Sequence, residues 1–401
     1  MRIAMFTNNY KPYIGGVPVS IEHLAQALRE RGHIVYVFAP SYENQVEEPY
    51  VIRYPSFPLK IAGAPVPNIL TGMIAKKVRE LQIDVIHVHH PAIVGNVALS
   101  IRRKLGIPVV FTYHTRYEAY LHYISGLEKV EQQTGFINWY LRYFCNRCDL
   151  LVAPTPGMRD YLDKKQMETP VCVMPTGIPQ ESFKPDEKRV AAIRQHFIGE
   201  ADYLTCTVSR LAKEKNLEFQ IKGLAHLKRM LKKEGKTFRH MMLGDGPERE
   251  NLQQLVQELG LTENVIFLGK VDNAEMKNYQ GAADAFLFTS KSETQGIVLL
   301  EAMAAGNPVV AVEASGVCDI VKNGGNGYLT EEDSYRWAVQ AKTVLEEVGL
   351  REKMSQSARQ TAKQYSEDVV AKRAEQCYKN VCIRKGENTG DNVLMPRRYV
   401  V

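Results

Sequence analysis

Short apolar runs alternate with longer segments whose apolar residues recur every three or four positions, from the first residues to about residue 365. RIAMFTN, IVYVFAP, DVIHVHH, PVVFTYHT, DLLVAPT and VCVMPTGI read as strands. They are continuously apolar rather than alternating, as expected of parallel strands covered on both faces. Between them VPVSIEHLAQALRERGH, ILTGMIAKKVRELQI and VGNVALSIRRKLG carry helical periodicity. A second series contains the runs LTCTVSRL, HMMLGDG, VIFLGKV and ADAFLFTS. Such alternation predicts an α/β fold built on parallel sheets. The proline-rich, polar stretch MPTGIPQESFKPDE separates the two series, so domains are expected at 1–173 and 174–365. A final helix is expected over 366–382, and the polar, charged residues 383–401 read as a loosely ordered tail.

Composition changes this picture little. A chain of 401 residues, 45% hydrophobic, can bury two domain cores. No stretch approaches the ~20 apolar residues of a membrane span. MRIAMFTNNY turns polar too early for a signal peptide. Seven scattered cysteines do not form a disulfide framework, and reduced thiols in a cytoplasm fit them better. Cys145 and Cys148 form a C-x-x-C pair on a helical segment, but a zinc or redox site would want a second such pair. The net charge of +6 sits mostly in the first half, where residues 1–175 hold 19 Lys and Arg against 14 Asp and Glu. The clusters Lys76-Lys77-Arg79, Arg102-Arg103-Lys104 and Lys164-Lys165 could meet anionic lipid, although a solvated face is the ordinary reading of such clusters. Nucleic acid binding would want a recognisable module, and none is visible.

The candidate chemistry lies in SETQGIVLLEAMAAGNPVV, residues 292–310. Glu293 sits in a polar turn closed by Gly296, and Glu301 opens an apolar, alanine-rich helix. If the residues between them are helical, eight positions make just over two turns, and both carboxylates project in similar directions. Such a pair could grip two parts of one elongated ligand. Upstream, Arg210 ends an apolar strand and Lys215 follows a short loop, which suits a diphosphate clamp; two surface cations are the bland alternative. Gly15 and Gly16, between a strand and a helix, would let backbone N–H groups face a phosphate or sugar. No G-x-G-x-x-G follows a strand, so a nicotinamide site finds little support. His87, His89 and His90 lack a neighbouring carboxylate or cysteine, and read as hydrogen-bonding strand-end residues rather than metal ligands. His114 ends another strand, where such sheets place catalytic groups. Tyr117 to Leu127 is tyrosine-rich and includes Glu118; it could be an acceptor-side wall or an element packed on the domain. Phe136 to Phe144 mixes aromatic residues with Arg142, and ordinary packing against the core is expected there in preference to an interfacial role.

The ordered set KPYIGGV, HVHHP, TYHT, MPTGI, SRLAKEKN, LGDGPE and ETQG…LEAMAAG resembles the retaining glycosyltransferases of family 4, across nearly the whole chain to about Tyr378. Within that family, ETQG and HTRYEAY look most like the bacterial diacylglycerol glucosyltransferases. The resemblance implies a GT-B fold: two Rossmann-like parallel-sheet domains facing across a cleft, with the last helix packing back on the first. It implies that the nucleotide sugar lies on the C-terminal domain and the acceptor on the N-terminal one. Arg210 and Lys215 would neutralise the departing diphosphate, which Gly15 and Gly16 would face. Glu301 would hold the ribose, and Glu293 with Thr294, Gln295, Gly296 and Ile297 the sugar. Gly244 and Val271 would complete the donor site, His114 would position the sugar, and Tyr117 and Glu118 would stand on the acceptor side. No divalent metal or other cofactor is expected, because the two cations can do its electrostatic work. The expected reaction carries glucose from UDP-glucose to a membrane lipid such as diacylglycerol, by a cytoplasmic enzyme peripheral on the inner face of an anionic membrane. A soluble or other lipid-linked acceptor is the alternative within the class. A sugar-nucleotide epimerase or a catalytically silent binding subunit are the alternatives outside it.

Overall fold

The computed structural model describes residues 1–13, 15–61, 64–69, 71–115 and 130–387. The chain divides into two compact units, Met1–Gly177 with Glu367–Val401, and Ile178–Ser366.

The first unit holds strands β1 (Arg2–Phe6), β2 (Ile34–Pro40), β3 (Val51–Tyr54), β4 (Ser56–Ile61), β5 (Ala64–Pro67), β6 (Val85–Val88), β7 (Val109–Thr112), β8 (Leu150–Ala153) and β9 (Val171–Val173). Its helices are α1 (Gly16–Glu30), α2 (Thr71–Glu80), α3 (Val94–Leu105), α4 (Val130–Cys145) and α5 (Pro156–Lys164), with the terminal helix α14 (Glu367–Glu387). Seven strands form one sheet in the order β3-β2-β1-β6-β7-β8-β9. Each pairing in it is parallel. Side chains alternate across it: Ala4, Phe6, Val109 and Phe111 face a core shared with α2 to α5, while Ile3, Met5 and Val110 face α1 and α14. On α14, Val370, Ala371, Ala374, Tyr378 and Val381 recur at helical spacing, and that stripe is what docks it. Arg31 on the α1 side pairs with Asp368 at 3.2 Å and Glu375 at 2.8 Å.

Three features depart from the sequence expectation here. The chain between residues 40 and 71, where no strand was expected, adds β3 to the sheet edge and folds β4 against β5 as a separate antiparallel pair. The terminal helix continues to Glu387, through residues expected as tail, because Arg384, Lys385 and Glu387 are good helix formers. In α4 the aromatic residues do not all pack inward. Leu141 and Phe144 are buried, whereas Phe136, Trp139 and Tyr143 are exposed, since they fall on the opposite side of a 3.6-residue repeat. Tyr117 and Glu118, with the segment around them, lie outside the described residues.

The second unit contains β10 (Tyr203–Val208), β11 (Phe238–Leu243), β12 (Val265–Gly269), β13 (Ala285–Phe288), β14 (Val309–Val312) and β15 (Gly327–Thr330). Its helices are α6 (Glu187–Ile198), α7 (Leu217–Lys232), α8 (Arg249–Glu258), α9 (Asn273–Ala282), α10 (Ile297–Ala305), α11 (Val317–Ile320), α12 (Ser334–Glu346) and α13 (Val348–Lys363). Its sheet runs β12-β11-β10-β13-β14-β15, again with each pairing parallel. One face is covered by α7, α8 and α12, and the other by α6, α9, α10 and α13. Both sheets are therefore doubly wound. The strand order reverses between β10 and β13 in one and between β1 and β6 in the other. Ligands of open α/β sheets sit beyond the strand ends at such a reversal.

Candidate active site

In the C-terminal unit, the loops leaving β10 and β13 start side by side at that reversal. The β10 loop carries Arg210 and Lys215, and the β13 loop carries Glu293 to Gly296. The two loops are joined directly: Lys215 Nζ lies 2.6 Å from Glu293 Oε1, with both side chains about four-fifths buried. Ser290 donates to the same carboxylate oxygen at 2.9 Å, and Thr289 donates to the Lys215 carbonyl at 3.1 Å. Glu293 Oε2 has no hydrogen bond among the described residues. Arg210 is exposed, and its guanidinium makes no hydrogen bond or ion pair among them either. The loops thus present one held cation, one unengaged cation and a carboxylate with spare acceptor capacity.

Glycines set this geometry. Gly296 is left-handed, at φ 76° and ψ 56°, and ends the turn immediately before α10. It offers no side chain to cap the helix; the Leu299 N–H donates to the Gly296 carbonyl at 2.9 Å, and the uncapped first turn marks the positive end of α10. A Cβ on Gly316 would stand 2.8 Å from the Glu293 carbonyl oxygen and 2.9 Å from the Thr294 carbonyl carbon, so only glycine lets the turn lie this close. A Cβ on Gly244, whose φ is 128°, would collide with the Ser209 carbonyl, which packs the exits of β10 and β11 together. Gln295 is buried in the turn, and Ile297 opens the helix half-buried. Val271 follows β12 and packs on the core beside α9 and α10.

The two glutamates do not share a helical face. Only Glu301 is in α10, one turn in, while Glu293 lies four residues before the helix and is turned back toward Lys215. The helix starts at Ile297, four residues before Glu301 where the sequence reading opened it, and the left-handed Gly296 keeps Glu293 in the turn, so the condition for a shared face, helix throughout from Glu293 to Glu301, is not met. Burial pushes the Glu301 carboxyl up to about 7, and no group among the described residues pairs with it. A half-buried carboxyl without a partner at the end of a sheet is suited to receiving hydroxyl donors from a ligand.

In the N-terminal unit, the loops after β1 and β6 lie at the other reversal. Gly15 precedes α1 without a side-chain cap, and Gly16 is its first residue. The backbone N–H of Asn8 donates to His90 Nδ1 at 3.2 Å, and Thr7 Oγ1 lies 3.3 Å from the same atom. His87 is clamped between Tyr378 of α14 at 2.7 Å and Thr112 at 2.6 Å. His114 follows β7, with its Nε2 2.8 Å from His89 Nδ1 and the two rings stacked at 5.1 Å. Burial holds all four imidazoles neutral: His114 and His87 are pushed down to about 3 and His90 to about 4, and His89 lies well below the usual range. Neutral histidines can each donate one hydrogen bond and accept another. His89 Nε2, Asn8 Oδ1 and Asn9 Oδ1 are buried without a partner among the described residues, and in the other unit so are Ser209 Oγ and Ser292 Oγ. Unpaired buried polar atoms are rare; these five lie at the two strand-end loops, while Asn264 Oδ1, Gln280 Nε2, Asn307 Oδ1 and Trp337 Nε1 lie elsewhere in the C-terminal unit. Among the described residues, no group of three or more His, Cys, Asp and Glu could hold a metal ion. Cys145 and Cys148 are both buried free thiols, and burial raises Cys145 to about 12.

Sequence reasoning missed four contributors. Ser290 and Thr289 continue β13, and their hydroxyls fix the Glu293 and Lys215 ends of the pair. Gly316 was legible only as a glycine after a strand. His89 was read as an ordinary strand-end residue, but alternation places it beside His87, on the face that reaches His114.

Two family profiles cover most of the chain: Glycosyltransferase Family 4 matches residues 14–182, and Glycosyl transferases group 1 matches residues 166–361. The chain is 33% identical to an alpha-monoglucosyldiacylglycerol synthase of Streptococcus pneumoniae over 323 residues, 78% of this chain and 71% of that protein. It is 29% identical to the protein of the same name from Acholeplasma laidlawii over 395 residues, 94% of this chain and 96% of that one. Among solved structures, Anabaena HepE in complex with UDP superposes with a TM-score of 0.75 at 21% identity, over 95% of this chain and 100% of that one.

Proposed function

The chain belongs to the family 4, group 1 glycosyltransferases, and from that premise we propose that it transfers glucose from UDP-glucose to the free hydroxyl of a diacylglycerol, with retention of anomeric configuration. The donor reading is supported by the two loops at the strand reversal of the C-terminal unit. As the glucosyl bond to the diphosphate breaks, negative charge grows on the leaving oxygen. Arg210 and Lys215 meet that charge, and the open N-terminus of α10 adds N–H donors without needing to reorganise. Glu301 accepts hydrogen bonds from the ribose hydroxyls. Glu293 and the Thr294-Gln295-Gly296 turn hold the glucose hydroxyls, and the Lys215 contact keeps the carboxylate in place while the donor is exchanged. In the N-terminal unit, His114 offers a neutral imidazole to the sugar, and His89 fixes its ring orientation. No covalent nucleophile and no metal are assigned.

The single observation that carries the lipid acceptor is the 33% identity to an alpha-monoglucosyldiacylglycerol synthase over 78% of the chain. Among the described residues no helix is long and apolar enough to cross a membrane, so contact with a lipid substrate would be peripheral. A donor and acceptor screen tests this reading. UDP-, GDP- and ADP-hexoses are offered with diacylglycerol, glucosyldiacylglycerol or soluble polyols, and products are identified by mass spectrometry. The reading expects glucose transfer from UDP-glucose to diacylglycerol. Turnover restricted to water-soluble acceptors would remove the lipid, and conversion of the donor without any acceptor would favour an epimerase.

A further inference from the structure

Helix α4 carries an aromatic stripe that its own fold does not use. Leu141, Phe144 and Cys145 fill the side facing the sheet, and Gly95 of α3 leaves room for the Phe144 ring. Phe136, Trp139 and Tyr143 point away, at 66%, 60% and 41% exposure. They follow i, i+3, i+7 spacing, and consecutive rings lie near-parallel at 5.7 Å. Arg147 extends the stripe, with its guanidinium 3.5 Å from the centre of the Tyr143 ring. Single exposed apolar residues are ordinary, but three contiguous stacked aromatics closed by an arginine form a surface.

We propose that this face of α4 is the surface by which the protein enters an anionic lipid bilayer, a proposal that rests on the lipid-acceptor reading above. Charge argues for this partner. Residues 135–147 contain Arg142 and Arg147 and no acidic residue. The exposed Arg103 and Lys104 end α3 beside the exit of α4, and Arg102 locks the two ends together through Asp149 at 2.6 Å. Glu168, an acidic group on this side among the described residues, is paired with Arg142 at 3.7 Å. Tryptophan and tyrosine favour the headgroup boundary, and cations beside them meet anionic headgroups. From Phe136 to Tyr143 the stripe runs over seven helical steps, about 10 Å. All three rings can therefore touch a plane at once, with the helix axis lying along it. The Phe136 end of α4 is the end nearer in sequence to His114, on the strand-exit side of the sheet, so attachment here would present that edge toward the lipid.

The chain has two tryptophans, and Trp337 is fully buried in the other unit. A change in emission on adding lipid therefore reports on Trp139. With phosphatidylglycerol–phosphatidylcholine vesicles, emission should move to shorter wavelength and be quenched by lipids brominated along the acyl chain. Pure phosphatidylcholine should give a weaker effect, and salt should reverse it. F136S and Y143S keep the reporter, and each should weaken vesicle binding roughly tenfold. R147E should weaken it on anionic vesicles only. Both aromatic variants should glucosylate detergent-dispersed diacylglycerol as the parent does while losing activity on vesicles. Unchanged emission in a protein that still floats with anionic vesicles would assign attachment to another face. An emission shift that grows with protein concentration in the absence of lipid would make the stripe a contact between copies of this chain. Either result overturns the proposal. If the acceptor reading alone is wrong, the emission shift persists while no glucolipid forms in either format.

Discussion

Glu301 makes the most direct residue-scale prediction, because its carboxyl titrates near 7 in the folded protein. Burial disfavours the charged form, so the carboxyl lies above its unfolded value of about 4.3. A raised carboxylate pKa means that the folded state holds the proton more tightly; this group's contribution to stability is greatest below pH 4.3 and declines as pH rises through 7. Ribose hydroxyls prefer the ionised acceptor. Affinity for uridine, which carries no phosphate of its own, should therefore climb as pH rises through about 7. Glu301→Gln should flatten that climb, and calorimetry across pH 5.5 to 8.5 checks it. The Lys215–Glu293 pair makes a second. Lys215→Ala should lower transfer on the order of 10²-fold, through unpaired leaving-group charge and a stranded carboxylate. Glu293→Ala should leave UDP binding equal or tighter, because it releases Lys215, while still depressing transfer. Equal loss of UDP affinity in both variants would contradict the assigned roles. A third concerns His89. If it orients His114, His89→Phe should lower kcat on the order of 10²-fold with little change in KM, as misplacement by an ångström does. His89→Asn, which keeps a short side-chain donor, should recover part of the loss.

At the scale of elements, the strands were legible as continuous apolar runs of four to seven residues and most helices as longer amphipathic segments, whereas α10, nine residues long, was legible from its apolar, alanine-rich run. The residue types at the strand exits were legible too, since the resemblance named Arg210, Lys215, Glu293 and Glu301. Their mutual geometry was not. The eight-position spacing gives one helical face only if the residues between are helical; Gly296 breaks that run, and nothing local reveals that Gly316 lets the turn approach from elsewhere in the chain. The inverse error occurred in α4. Its aromatic content read as core, whereas the 3.6-residue phase divides it into a buried and an exposed side. Glycine substitutions separate these cases. Gly316→Ala places a methyl group against the Glu293 backbone, and should cost about 1–3 kcal/mol and weaken donor binding. Gly349→Ala, inside α13 with open space around it, should raise stability by up to about 1 kcal/mol and leave activity unchanged. Thermal unfolding with and without UDP-glucose distinguishes the two.

For the molecule as a whole, the two doubly wound units assign different chemistry to each half of the chain. The C-terminal unit gathers the cations and carboxylates suited to a nucleotide diphosphate sugar. The N-terminal unit gathers neutral histidines at its strand exits, and residues 1–175 carry most of the net positive charge. Sequence alone identified this division through composition and motif order. It could not show that α14, the last helix, supplies Tyr378 to His87 beneath the N-terminal site, because that contact joins residues 291 positions apart. The central claim is transfer of glucose from UDP-glucose to diacylglycerol with retention, and one measurement tests it most directly. Purified protein is incubated with UDP-glucose and diacylglycerol in mixed micelles, and the extracted lipid is examined by proton NMR. The account predicts a monoglucosyldiacylglycerol whose anomeric proton shows the small coupling of an α linkage, with UDP released in equal amount. A β-linked product, or UDP-glucose left intact while a different nucleotide sugar or a soluble acceptor is turned over, would contradict it.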